Sequence, residues 1–194
     1  AERYDLMGAV DQHIIRETFK FIGEHDSENI CFSINLSGNS LNDNNLAHFI
    51  KQCMKEFEVS ARLVCFEITE TSAITNLVKT RNLIEELQTE GFKFALDDFG
   101  SGLSSFSYLK NLAVDYLKLD GCFVKNMVND PIDKAMVKAI NQIGHTMNIK
   151  TIAEFVEDAS SLAVLWQCGI NYIQGNFLQQ PHDIMDYDFE GDED

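Results

Sequence analysis

Two adjacent carboxylates, Asp97 and Asp98, end an apolar run and lead into glycines in the stretch Lys93-Phe-Ala-Leu-Asp-Asp-Phe-Gly-Ser-Gly102. Neighbouring carboxylates repel unless a proton or cation lies between them. The pair therefore points to a divalent metal with oxygen ligands, with a second ion bridged to the first. A solvated turn is the competing reading, because Asp close to Gly is also common turn and cap chemistry. Phe92, Phe94, Ala95 and Leu96 form a run too short for a helix and read as a buried strand, with Gly100 and Gly102 permitting a tight exit. The two carboxylates then sit at a strand's carboxyl end.

The same pattern recurs along the chain. Strands are expected at 29–36, 62–68, 114–119, 149–155 and 171–174 besides the one ending at Asp97 and Asp98. Helices are expected over 2–23, about 42–56, from a cap at Thr71 or Ser72 to about Thr89, 131–147 and 158–167, the last capped by Gly169. One further helical turn is expected near 105–109. In the first helix Leu6, Val10, Ile14, Phe19 and Ile22 form the expected apolar face. The strands finish at Asn35, Glu67, Asp97 with Asp98, Lys118, Glu154 and Gln174, at spacings of 32, 30, 21, 36 and 20 residues, each fitting one βα unit. Six alternations imply a parallel sheet covered by helices. In a (β/α)8 barrel the strand carboxyl ends meet on one face, so the six polar ends would surround one pocket. A doubly wound open sheet would not bring all six together, and no GxGxxG loop supports it.

With 194 residues, 45% of them apolar, and two prolines, the chain can bury one core as one domain. The net charge is −16, and residues 183–194 hold seven acids and no base. Such a chain is a poor candidate for binding DNA or RNA polymers, which needs clustered Lys and Arg, whereas a small anion held through metal ions stays open. Five cysteines without CxxC spacing suit a reducing cytosol and core packing better than disulfides or zinc. The residues show no signal peptide and no membrane-length apolar run.

Asn35-Leu-Ser37, Glu67-Ile-Thr-Glu70, Asp97-Asp-Phe-Gly-Ser-Gly102, Lys118-Leu-Asp120, Ala153-Glu-Phe-Val-Glu157 and Gln174-Gly175 together resemble the EAL domain over nearly the whole chain. The resemblance implies an α/β, TIM-like (β/α)8 barrel of EAL type. It implies a bacterial, cytoplasmic enzyme that hydrolyses the second messenger cyclic di-GMP to linear pGpG with Mg2+ or Mn2+, two ions in all. Asn35, Glu67, Asp97, Asp98 and Glu154 would be metal ligands, Asp97 the bridge. Lys118 would hold or deprotonate the attacking water, its pKa lowered by the ions. Glu70 would tie down the loop after Asp98, and Gln174, Gly175, Phe155 and Glu157 would be nucleotide or supporting contacts. Upstream GGDEF or sensor modules and a homodimer are the partners it implies.

Two departures shape the expectation. The Glu-Ala-Leu stretch itself is missing, and the opening residues match the helix that follows it in the family. Six of eight βα units are then present, in a domain over 1–185 with an acidic tail at 186–194. Such a piece would hydrolyse weakly or not at all unless upstream residues or another chain complete it. The rival function is a degenerate EAL receptor that binds cyclic di-GMP uncleaved and signals through a partner. The second departure is Phe155, where the commonest family pattern has Gly. Its ring either stacks on a guanine base or is a rim aromatic with no ligand.

Overall fold

The computed structural model describes residues 6–25, 30–102 and 106–182; the expected acidic tail at 186–194 and both ends of the expected domain lie outside them. The elements are α1 (Met7–Glu24), β1 (Phe32–Leu36), α2 (Leu46–Glu56), β2 (Val64–Thr69), α3 (Glu70–Thr75), α4 (Leu77–Gln88), β3 (Lys93–Phe99), β4 (Tyr116–Leu119), α5 (Gly121–Asn126), α6 (Pro131–Thr146), β5 (Lys150–Ala153), α7 (Ala159–Cys168) and β6 (Tyr172–Ile173). Short 3-10 turns at Ser40–Asn42, Ala61–Leu63 and Phe106–Asn111 complete them.

All six strands join one parallel sheet in chain order, β1 to β6. Side chains alternate across a strand, so the register decides which residues share a face. Asn35 pairs with Glu67, Glu67 with Ala95, Ala95 with Tyr116 and Lys118 with Ile152. One face thus carries Asn35, Glu67, Asp97 and Lys118, while Ile34, Phe66, Phe94, Leu96 and Leu117 lie on the other and are buried in the core.

Local chemistry fixes the helix ends. Asp130 accepts from the Ile132 and Asp133 amides ahead of Pro131, and Asp158 caps α7, which closes on Gly169 at φ +76°. The helix expected from Thr71 or Ser72 to Thr89 is instead two helices, broken at Asn76, and the cap is Thr69, whose hydroxyl accepts from the Ser72 amide. Glu70 begins α3 as a buried carboxylate at the end of β2. α5 has no counterpart in the sequence-based expectation. It is only six residues long, too short for a periodic signal, and is capped by Asp120.

The apolar face expected for α1 is partly wrong. Phe19 and Ile22 are buried, but Leu6, Val10 and Ile14 are exposed, and the inward row is Asp11, Ile15, Phe19 and Ile22. An acid in that row defeats a count of apolar spacing. Asp11 is buried because its Oδ2 accepts from the Ser37 amide at 2.8 Å and the Ser40 hydroxyl at 2.5 Å, pinning the loop after β1. Asp11→Ala should strand both donors and destabilise the fold by about 1–3 kcal/mol. Urea unfolding should show a lower midpoint with an unchanged slope.

Candidate metal centre

Lys118 lies at the middle of the site. From β4 its Nζ reaches Glu67 of β2 at 2.5 Å, Glu154 just past β5 at 2.8 Å and Asp97 of β3 at 3.1 Å. The Lys118 side chain is 4% exposed and its partners at most 15%. An ammonium has three N–H donors, and three carboxylates face them. Burial by itself lowers an ammonium's pKa, but the hydrogen bonds to Glu154 and Glu67 and the charge of Asp97 outweigh it and hold Lys118 above the ordinary lysine value. The lowering expected for Lys118 belongs to the cation-bound centre. In the chain's own field Lys118 is a firmly protonated counter-ion, and only additional positive charge could reverse the direction.

Adjacent residues on a strand ordinarily face opposite sides, so Asp97 and Asp98 need a device to act together. The register supplies one: Leu96 pairs with Leu117 and Phe99 with Leu119, so Asp97 and Asp98 together oppose Lys118 in a β-bulge. Asp98 adopts φ +53°, a left-handed conformation that Asp tolerates better than most residues. Carboxylate oxygens of Asp97, Asp98 and Glu154 then lie within 4.8 Å of one another. Burial, with the neighbouring charges of Asp97 and Asp120, raises the Asp98 pKa. Burial also raises Glu154 despite its hydrogen bond to Lys118. Four carboxylates around one ammonium leave a net negative charge, and hard oxygen donors this close suit a divalent cation.

A raised carboxylate binds its proton more tightly in the folded chain. Its contribution favours folding below the unfolded value, 3.8 for Asp98, and is lost as pH rises through the folded value. Asp98→Asn should therefore raise the urea midpoint of metal-free protein at neutral pH. That advantage should shrink to nothing in titrations carried below 3.8. A variant equal to or less stable than wild type at neutral pH would contradict the repulsion.

The loop after the Asp pair is held by Glu70, which accepts from the Gly100 amide at 3.0 Å and from the Tyr108 hydroxyl at 2.6 Å. Gly100 has φ +95°, and a Cβ there would meet Ile140 Cδ1 at 2.8 Å. Tyr108 was not legible as a partner, since a lone tyrosine in a Ser-rich loop carries no spacing signal. Asp120 closes the Lys118-Leu-Asp120 motif. The structure makes it both the α5 cap and a charge felt by Asp98.

The remaining candidates are less gathered. Asn35 lies beside Glu67 in register but is exposed on the edge strand. Glu157 and Gln174 are exposed. Gln174 is tied through its backbone, its N–H donating to Ala153 and its carbonyl accepting from Val156. Gly175 packs so tightly on Val156 that a Cβ would come within 2.3 Å of the Val156 carbonyl oxygen. Phe155 is half-exposed at φ +53°, with its ring against Gly121 and the Lys125 ammonium 4.1 Å from the ring centroid. Among the described residues, no helix is long and apolar enough to cross a membrane.

The profile of the EAL domain matches residues 1–181. The chain is 43% identical over 189 residues to the cyclic di-GMP phosphodiesterase PdeB of Shewanella oneidensis, covering 96% of this chain and 22% of that protein. It is 36% identical over 185 residues to the cyclic di-GMP phosphodiesterase PdeA of Borreliella burgdorferi, covering 94% and 28%. The chain thus spans about a quarter of the length of these relatives. Among solved structures, the FimX EAL domain from Pseudomonas aeruginosa bound to c-di-GMP superposes with a TM-score of 0.91 at 33% identity, over 97% of this chain and 76% of that one.

Proposed function

The chain belongs to the EAL domain family, and from that membership we propose that it hydrolyses cyclic di-GMP to linear pGpG with divalent cations, Mg2+ or Mn2+. The observation that carries this reading is the constellation on one sheet face: Lys118 against Glu67, Asp97 and Glu154, beside the Asp97, Asp98 and Glu154 oxygens. An anionic dinucleotide would be repelled by so many carboxylates unless cations intervened. The receptor alternative is not favoured, since the relatives carry phosphodiesterase names and every visible candidate ligand here is a competent oxygen donor.

Asp97, Asp98 and Glu154, with Asn35 and Glu67 beside them, would hold two cations, Asp97 the bridge. When bound, such cations polarise a phosphoryl oxygen and make water a better nucleophile at neutral pH. Lys118 must first release a donor. Its three N–H groups face three carboxylates, so an N–H turned away from Asp97 or Glu154 would be free to orient the attacking water. The water oxygen then bonds to phosphorus, the bond from phosphorus to the 3′ oxygen breaks, and the proton passes to that leaving oxygen. Glu70 keeps the loop beyond Asp98 in place through Gly100 and Tyr108. Phe155, Glu157, Gln174 and Gly175 form the rim nearest the nucleotide in this reading. The domain would work within a longer chain, attached to GGDEF or sensor modules and as a homodimer.

The test uses the longest natural chain that contains this sequence. Mg2+ or Mn2+ should yield pGpG by chromatography, and EDTA should stop it. Cyclic di-GMP binding by calorimetry with no pGpG in either metal would give the protein to the receptor reading.

A further inference from the structure

The turn that carries Glu154 out of the sheet is gripped from two sides, around a residue whose backbone resists that conformation. Glu154 is the first residue beyond β5, and Phe155 follows at φ +53°, where large side chains are rarely found. On one side, Val156 donates to the Gln174 carbonyl at 3.1 Å and accepts from the Phe177 amide at 3.0 Å. Gly175 lies against the same backbone, where a Cβ would be 2.4 Å from the Val156 nitrogen. On the other side, the Phe155 ring covers Gly121, where a Cβ would fall 2.1 Å from Cδ2 and 2.7 Å from Cγ. One helical turn on from Gly121, the Lys125 ammonium faces the ring at 4.1 Å.

We propose that Phe155 is a positioning residue for the metal centre: its ring, seated on Gly121 and Lys125, locks the left-handed turn that aims Glu154 at Lys118 and the Asp pair. A glycine would adopt the turn freely but would not hold it. Phe adopts it at a cost and then holds it through the ring. Gly121 follows from the same contact. Its φ lies outside the left-handed region, so what forbids a side chain there is the Phe155 ring alone among its nearest neighbours. A ring present only to stack on a base would leave both the turn and Gly121 indifferent to its removal.

The experiment compares Gly121→Ala, Phe155→Gly, Phe155→Ala and the pair Gly121→Ala with Phe155→Gly. It reads the hydrogen exchange of the Val156 amide and the Mn2+ affinity by calorimetry, with the Leu117 amide of the central sheet reporting global unfolding. Gly121→Ala should speed Val156 exchange by about tenfold or more with Leu117 little changed, because the new Cβ displaces the ring. In the Phe155→Gly background the same substitution should add nothing, since the atoms it meets are gone. Phe155→Ala, which keeps the unfavourable backbone and loses the ring, should exchange faster and bind Mn2+ more weakly than Phe155→Gly. Additive effects of Gly121→Ala and Phe155→Gly would overturn the proposal. So would a Phe155→Ala variant whose Val156 exchange and Mn2+ affinity match wild type while only cyclic di-GMP affinity falls. The Mn2+ arm rests on the metal-centre reading. A wild type that binds no Mn2+ would sink that reading, while the exchange coupling would still decide for or against the clamp.

Discussion

Lys118→Ala lowers the turnover of cyclic di-GMP by about 10²–10³-fold, the loss typical of removing one positioned hydrogen-bond donor, and leaves nucleotide affinity nearly unchanged. The same substitution has a second effect without any substrate. Glu67, Asp97 and Glu154 lose the ammonium they share, and a buried charge cluster stripped of its partner typically costs about 3–5 kcal/mol. Divalent cations should return much of that stability, because they supply positive charge to the same oxygens. The pH dependence is distinctive. A lysine held above its ordinary 10.5 contributes fully below that value, and the contribution is lost as pH rises through the folded value. The urea stability gap between wild type and variant should thus stay flat from about pH 6 to about pH 9 and close only in stronger alkali. A gap that varies steeply near neutrality would mean that the carboxylates, and not Lys118, govern it. A variant with wild-type turnover would remove Lys118 from the chemistry altogether.

The alternation of strands and helices, and the polar residue ending each strand, were legible because period and spacing are properties of sequence. The register needed to turn polar ends into a site was only partly so. Spacing could place Asp97 and Asp98 at the end of a strand, but not the bulge that sets both of them opposite Lys118, since a bulge depends on how β3 and β4 pair. Likewise Phe155 read as a stacking candidate, because an aromatic next to a ligand looks like a binding device. Its left-handed φ and its seat on Gly121 are tertiary facts. Asp11 misled in the opposite sense: a buried acid in a helix stripe looks like surface until its Ser37 and Ser40 partners are known. The three carboxylates around Lys118 are tertiary facts too, and against burial they hold its pKa up in the chain's own charges.

Asp97→Ala removes more of the centre than any other single substitution should. Asp97 faces Lys118 at 3.1 Å, accepts the Asp98 amide at 3.0 Å through Oδ1, and shares the close oxygen cluster with Asp98 and Glu154. Its loss would therefore strip a proposed metal ligand, loosen the bulge that aims Asp98, and deprive Lys118 of a neighbour. Groups that merely support a metal ligand usually cost about 10–100-fold in affinity or activity. A ligand serving two ions should exceed that range, and Mg2+- or Mn2+-dependent pGpG formation should fall to the background of the assay. Asn35→Ala makes the useful contrast. Asn35 is an exposed neutral donor on the edge strand, so its loss should weaken Mn2+ binding by only about tenfold, closer to the supporting range. Calorimetric Mn2+ titration of both variants, with pGpG measured at saturating metal, separates the two cases. If Asp97→Ala retained Mn2+-dependent turnover within tenfold of wild type, the ions would have to be held elsewhere. The Asp97 and Asp98 bulge would then be a turn that happens to carry two acids.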